Sequence, residues 1–541
     1  MSNVNKRNSA AVVLLALCTG FELFISAGNI RLYTLISVCC VFFVISAFAH
    51  KRELFRFDLI CAVLSGVLTF SVRMNFDLIA FMGADLVSVI EKFWFLLFFV
   101  WYFFLRSVKL INWSAVRGEP RSVGRHLSLA QIAFLAALFG LILLFTSKPY
   151  FMNVSSQDVL DQSDQIHGVL AYNNVHAIGH TLFLKFMSRI YDSFGLVVIF
   201  QLAMVVLLYI SFADFFYFKG LPLYLVVLFQ GLTLIFIRNS TLALYMPWKD
   251  TPAALCLGVV SLVFMRHLDS GGMKKKDAFV LGLALAWSFL FRLNGIVALI
   301  ICGGSICFSL LRKKLFPQMT LLVVAAAASI LSVNMYAEHV LHAIDIDNGF
   351  SIQVFGSGIA AVVNDGELSP QELEEIDKVL PVEWMQGRDM RELIWDHDNS
   401  PRITSDPNMR VYNNEYVLRM GENKKDVILL YLKLLPSHFV VCLKDLLDNV
   451  GMVWKLEESF FVSNYIFQFV LLTIIFFGNR LKGMDLLPFL PSLCNTVSIV
   501  LSSTTNETRY LLPTFLLAPC LILFSIMRGR MRSDTVERVP I

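Results

Sequence analysis

Charge is scarce in this chain: Asp, Glu, Lys and Arg make up 16% of its 541 residues, where soluble proteins carry about a quarter. That scarcity excludes disordered, collagen-like and ordinary multidomain soluble classes. The net charge of +4 is too small to suggest a nucleic-acid partner. Cysteine is sparse as well, ten in all, and mostly inside apolar runs, as at Cys39, Cys40, Cys302 and Cys307. None has metal-like spacing, so they read as small buried hydrophobes rather than as a disulfide framework or a zinc module. A GxxxxGK[ST] loop is missing, and so is a GxGxxG after a strand; nothing here cradles nucleotide phosphates. No internal repeat stands out, which weighs against repeat-built transporters.

Apolar residues are abundant instead: 57% of the chain, with 48 Phe and a mean hydropathy of +0.67. They fall in runs at 11–28, 32–49, 58–73, 85–105, 128–147, 194–214, 220–238, 251–266, 278–291, 294–311, 317–337, 460–478, 484–502 and 510–527. These are roughly fourteen segments near the length that crosses a bilayer. Each must be a helix, because a backbone in lipid has to satisfy its own polar groups. The expected fold class is therefore an all-α polytopic membrane protein. The first run follows a basic start but has no clear cleavage site, so it reads as a retained span.

Basic residues orient the set. Lys6 and Arg7 precede the first run, and Lys51, Arg52 and Arg56 follow the second. Arg106, Lys109, Arg117, Arg121 and Arg125 separate the fourth from the fifth. Lys274, Lys275 and Lys276 follow the eighth, and Arg312, Lys313 and Lys314 the tenth. Arg480 and Lys482 follow the twelfth, and Arg528, Arg530 and Arg532 the last. All lie on one side if the count is even, so these loops and both termini are expected in the cytoplasm. The chain then divides into N-terminal transmembrane helices (1–127), a core transmembrane module (128–337), an extracytoplasmic domain (338–459) and C-terminal helices with a basic tail (460–541).

Two outer segments are large under this orientation, 148–193 and 338–459. The second alone has ordinary soluble composition. Ser369, Pro370 and Glu372 read as a helix start; SDP at 405–407 marks an irregular part. The stretch 425–449 is amphipathic, with Lys433, His438, Lys444 and Asp445 on its polar side, and reads either as a helix at the membrane surface or as one packed on the outer domain.

The first outer segment carries Asp158, Asp161 and Asp164 at steps of three, then His167. His176 and His180 are four apart and would share a helix face. A carboxylate just outside a membrane sits where desolvation can raise its basicity, as a general base needs. The plain alternative is a solvated acidic loop in which Asp158 caps a helix. Three other outer hairpins each carry a cation against the positive-inside bias: Lys249 with Asp250, Arg292 with Asn294, and Arg509 with Glu507 and Tyr510. Arginine can clamp a phosphate through two hydrogen bonds and lysine can act as a point charge. Snorkelling, or a local ion pair such as Lys249 with Asp250, is the alternative. Arg73 is a weaker candidate.

Three cations beside an acidic loop at one membrane face suit a substrate with an anionic head and a lipid tail, such as a sugar on polyprenyl phosphate. Asp158 would take the acceptor's proton while Lys249, Arg292 and Arg509 stabilise charge on the departing phosphate. A base and a leaving-group clamp on opposite sides of the anomeric carbon would invert it.

The order of motifs resembles the GT-C class of integral-membrane glycosyltransferases, closest to a broad bacterial branch of large multi-span proteins. The resemblance runs over about 145–520. It rests on SSQD (155–158) with Gln162, Gln165 and Gly168, on VHAIGHT (175–181), on KDT (249–251) and RLNG (292–295), on SIQVFGSGIAAVV (351–363), LSPQELEEI (368–376) and SDP (405–407), and on ETRYLLP (507–513). It implies a GT-C-like bundle in a bacterial inner membrane, a polyprenyl-phosphate-sugar donor, and a glycan, lipid or protein acceptor in the cell envelope. It also implies an aspartate base, here Asp158 with Asp161 or Asp164 as fallback. Ala177 stands where that branch has Pro, which leaves the role of His176 open. Some members hold a divalent metal on carboxylates; Asp158 with Asp250 or Glu507 is the set this chain offers. The competing expectations are a flippase or transporter of lipid-linked saccharides, whose charges belong near the bilayer midplane, and a glycan polymerase or ligase.

Overall fold

A computed structural model describes residues 124–146, 157–344 apart from 175 and 241, 352–388, 415–449, 483–502 and 508–536. The apolar runs at 11–28, 32–49, 58–73, 85–105 and 460–478 lie outside the described residues, as do Cys39, Cys40, Arg73, SDP at 405–407 and Glu507. Nearly all described residues belong to one compact unit, Pro120–Val453 with Lys482–Met527.

The described part is all-helical, with no strand. Its membrane module begins with α1 (Leu129–Thr146), α2 (Gln157–Ile166), α3 (Ile178–Ile190), α4 (Phe194–Phe218) and α5 (Leu223–Ser240). It continues through α6 (Asp250–Ser270), α7 (Lys275–Phe291), α8 (Ile296–Arg312) and α9 (Phe316–His339). Five segments are long and apolar enough to cross a membrane: Phe194–Phe218, Asp250–Ser270, Leu293–Arg312, Phe316–His339 and Gly483–Val500. The expected spans 194–214, 251–266, 294–311 and 317–337 fall on four of these, while those at 128–147, 220–238 and 278–291 fall on α1, α5 and α7, which are helices but not among the five. The expected span at 484–502 differs: Gly483–Phe489 is a 3-10 stretch containing Pro488, and the α-helix α16 starts only at Leu490 and ends at Ser502. Proline lacks the N–H that an α-helix would need there.

Helix α7 is the centre of the module and packs against α6, α8, α9 and α3. Leu281 and Leu285 on α7, Val260 and Phe264 on α6, and Cys302 and Ile306 on α8 are wholly buried together. Glycines set the closest crossings. A Cβ on Gly282 would overlap the Leu322 carbonyl of α9, and one on Gly179 would lie 2.5 Å from the Leu290 carbonyl oxygen. The outward faces keep apolar side chains exposed, among them Leu207, Ile300, Phe308 and Leu331.

The two ends of the module differ in charge. At one end, α4, α6 and α8 finish near the Lys219–Asp269 ion pair and the His126–Asp214 hydrogen bond, and Lys313 donates to the Gly271 carbonyl at 2.7 Å. The exposed clusters Lys274–Lys276 and Arg312–Lys314 sit there. The other end gathers the start of α6, the end of α7, α2, α3 and the 3-10 turn Thr508–Leu511 that leads into the last helix, Leu512–Val536. A parallel bridge between Asn173 and Ile344 ties the segment before α3 to the chain after α9.

The inserted domain packs α10 (Gln353–Asp365), α11 (Pro370–Val379), α12 (Val382–Met385), α13 (Glu415–Glu422), α14 (Lys424–Leu434) and α15 (Phe439–Asn449) around Ile359, Ile376, Leu380, Val417, Met420 and Val427. The amphipathic stretch 425–449 is two helices rather than one, and it packs on this domain through Val427, Leu430, Leu434 and Cys442. Pro436 denies that stretch a continuous helical ladder. Helix α10 also touches α16, so the domain stands next to the membrane module.

Candidate active site

Asp158, Asp161, His176, Lys249, Asp250, Arg292, Arg509 and Tyr510 come to one end of the bundle, in two adjoining groups. The first centres on Lys249. The turn Met246–Lys249 leads into α6, and Lys249 is its N-cap. Its ammonium lies 3.4 Å from Asp158 Oδ2 and 3.5 Å from His176 Nδ1. An ammonium only donates, so in this contact His176 Nδ1 accepts. His176 Nε2 lies 4.0 Å from Asp161 Oδ2, too long for a direct hydrogen bond. Asp158, Lys249, His176 and Asp161 thus lie in a line across α2, the start of α6 and the segment before α3.

Helix α2 presents Asp158 from its first turn and Asp161 one turn later, so both carboxylates serve this group. Asp158 and Lys249 keep about a fifth of their side-chain surface exposed, whereas His176 is buried. His176 and His180 do not share a helix face, because α3 begins at Ile178, after His176. His180 is fully buried. Its Nδ1 donates to Gln162 Oε1 at 2.9 Å, and Gln162 Nε2 donates in turn to Thr181 Oγ1 at 2.9 Å. Burial first, then the charges of Lys249 and His176, push its imidazole down to about 3, so it is neutral at physiological pH. It packs between the rings of Phe183 and Phe291 and locks α2 to α3 and α7. His167 stands apart, bound to Asp192 at 2.9 Å, and Asp164 ends α2 through its carbonyl, which accepts from Val169 and Leu170.

The second group centres on Arg292. Its extended backbone (φ −150°) ends α7, and Leu293–Gly295 form a single 3-10 turn that includes Asn294. Gly295 is required there, since a Cβ would strike the Ser288 carbonyl. Arg292 Nη1 lies 3.0 Å from Asp250 Oδ1 and donates to the Tyr510 carbonyl at 3.3 Å, with the guanidinium 4.4 Å over the Tyr510 ring. Asp250 has no exposed side-chain surface and Arg292 only 9%. Neither Asp250 oxygen has a well-aligned hydrogen bond, so the contact acts as a charge pair. Arg509 lies 4.3 Å over the Trp248 ring and 5.1 Å over Tyr510, and donates to the Tyr510 hydroxyl at 3.4 Å.

The adjacent residues Lys249 and Asp250 do not pair with each other. At a helix start neighbours point about 100° apart, so each finds a different partner. Trp248, Gln201 and Asn495 had no assigned role. Gln201 donates to the Trp248 carbonyl at 3.2 Å and Asn495 to the Tyr510 carbonyl at 3.0 Å, which fixes the two aromatic platforms. Lone amides inside apolar runs were the available signal. Among the described residues no three His, Cys, Asp or Glu side chains form a metal-ligand set. Asp250, one carboxylate considered beside Asp158 for a metal, faces Arg292 instead. Comparison with protein-family models, with curated proteins and with solved structures returns no match.

Proposed function

We propose that this chain is an integral-membrane glycosyltransferase with a GT-C-like bundle, which moves a sugar from a polyprenyl-phosphate donor to a cell-envelope glycan, lipid or protein on the extracytoplasmic face of a bacterial inner membrane. The observation that carries the reading is the contact chain Asp158–Lys249 and Asp250–Arg292–Tyr510, with Arg509 on Trp248, at the bundle end away from the exposed basic clusters. Charges gathered at one end favour chemistry at a membrane face over passage through the midplane.

Asp158 takes the proton of the acceptor hydroxyl. The freed oxygen pair bonds to the anomeric carbon, whose bond to the phosphate oxygen breaks with the pair leaving on phosphate. Lys249 is the cation nearest Asp158 and neutralises the growing phosphate charge. Arg292 is held by Asp250 and supports the wall; Arg509 on its two aromatic rings offers the second positive surface. Attack and departure on opposite faces invert the centre.

The test is incubation of membranes containing the protein with a panel of polyprenyl-phosphate sugars. Wild type should transfer at least one sugar. Asp158→Asn should insert and fold normally yet lose transfer by at least a hundredfold, the range of a general base. Full activity in that variant would remove Asp158 from the mechanism. Translocation of the lipid-linked sugar without transfer would favour a flippase.

A further inference from the structure

Lys249 is shared between two acceptors, and neither contact is tight. Its ammonium reaches Asp158 Oδ2 at 3.4 Å and His176 Nδ1 at 3.5 Å, both near the outer limit for a hydrogen bond. Its side chain is 22% exposed and that of Asp158 21%. The neighbouring Arg292 differs on every count: 3.0 Å from its carboxylate, stacked on Tyr510 and almost shut off from solvent. One cation of the site is therefore fixed and the other is free to change partners, as a point charge on a flexible stem can.

We infer that Lys249 is a latch on Asp158 that a phosphate anion displaces. While the ammonium rests on Asp158, that carboxylate is occupied. A lipid phosphate entering beside Lys249 draws the ammonium onto itself, and Asp158 is then released to take a proton from a hydroxyl. His176 Nδ1 gives the lysine a second resting point. The phosphate gains negative charge as the sugar leaves, so the pull on Lys249 strengthens along the reaction, and strengthening of that kind lowers a barrier. The latch deepens the glycosyltransferase reading and rests on it: the donor must bind before the acceptor is deprotonated.

The experiment uses the purified full-length protein and a short-chain isoprenyl phosphate as the probe. Asp158 competes with the probe for Lys249, so Asp158→Asn should bind it about fivefold more tightly than wild type, the upper range for a partly exposed ion pair. Asp158→Glu should return to the wild-type Kd, and Lys249→Met should lose at least tenfold. Equal or weaker binding by Asp158→Asn, with Lys249→Met still impaired, overturns the latch and leaves the lipid-phosphate reading standing. No binding by wild type overturns both. A second measurement needs no variant. A carbodiimide should join Lys249 to Asp158 in the free protein, and saturating probe should suppress that cross-link several-fold. A cross-link that persists under saturation overturns the latch.

Discussion

The Asp250 carboxylate is wholly removed from solvent and Arg292 stands 3.0 Å away. Two charges taken out of water depend on each other, because removing one strands the other in a poor dielectric. Asp250→Asn should therefore lower stability by about 3–5 kcal/mol, read as a drop in Tm in detergent. The pair Asp250→Leu with Arg292→Met should recover most of that loss, since no charge is then left behind. A double variant no more stable than the single one would show that the residues do not act as a pair. Much of this site was legible at the residue scale. Lys249, Arg292 and Arg509 stood out because each broke the charge bias expected of a hairpin read as outer, and Asp158 because of the acidic loop. Their partners were not legible. Which side a residue at a helix start faces depends on the register of that start, and the sequence marks it only to within a residue or two.

Among the described residues helix existence was plain at the element scale, because apolar runs in lipid have one solution. The breaks were not: α3 starts after His176, the run at 484–502 opens as a 3-10 stretch, and 425–449 is two helices. Each break depends on local geometry rather than on apolarity. The contact of α3 with α7 makes a sharp case, since Gly179 leaves no room for a side chain against Leu290. Gly179→Val should cost about 1–3 kcal/mol by overpacking. Gly304→Ala on α8, where nothing lies within 4 Å, should be neutral or gain up to about 1 kcal/mol. Equal Tm changes would remove the close crossing. The capping box of α11 was read correctly from Ser369 and Glu372. Glu372 accepts from the Ser369 N–H at 2.8 Å, and its N–H donates to Ser369 Oγ at 3.2 Å. The Ser369 backbone N–H, then its hydroxyl, hold the Glu372 carboxyl below its usual range. The folded state thus binds its proton less readily than the unfolded state, so this stabilisation is present above the usual carboxylate range and is lost as pH falls through the lowered value. Hydrogen exchange in Pro370–Val379 should quicken on acidification, and Ser369→Ala should quicken it at neutral pH by about 1 kcal/mol of lost protection. Protection that ignores both pH and Ser369 would remove the cap from the stability of α11.

At the scale of the whole molecule the distribution of charge does the orienting. The exposed clusters Lys274–Lys276 and Arg312–Lys314 share one end of the bundle, while Asp158, Lys249, Arg292 and the entry to the inserted domain share the other. Translocating a cluster of lysines is costly, so the proposed orientation keeps the end that carries them in the cytoplasm and puts the candidate site with its domain outside. Two positions far from any ion pair of the site test this. Lys378 on α11 has 66% of its side chain exposed, and Lys275 begins α7 in the exposed basic cluster. Each is replaced by cysteine in a background whose ten native cysteines are alanine. In spheroplasts a membrane-impermeant maleimide should label the cysteine at 378 directly. The cysteine at 275 should react only after the membrane is opened. The reverse pattern would put Asp158 and the three cations in the cytoplasm, where nucleotide sugars are at hand. The argument for a lipid-phosphate donor would then lose its premise, because it depends on a face of the membrane that nucleotide sugars do not reach.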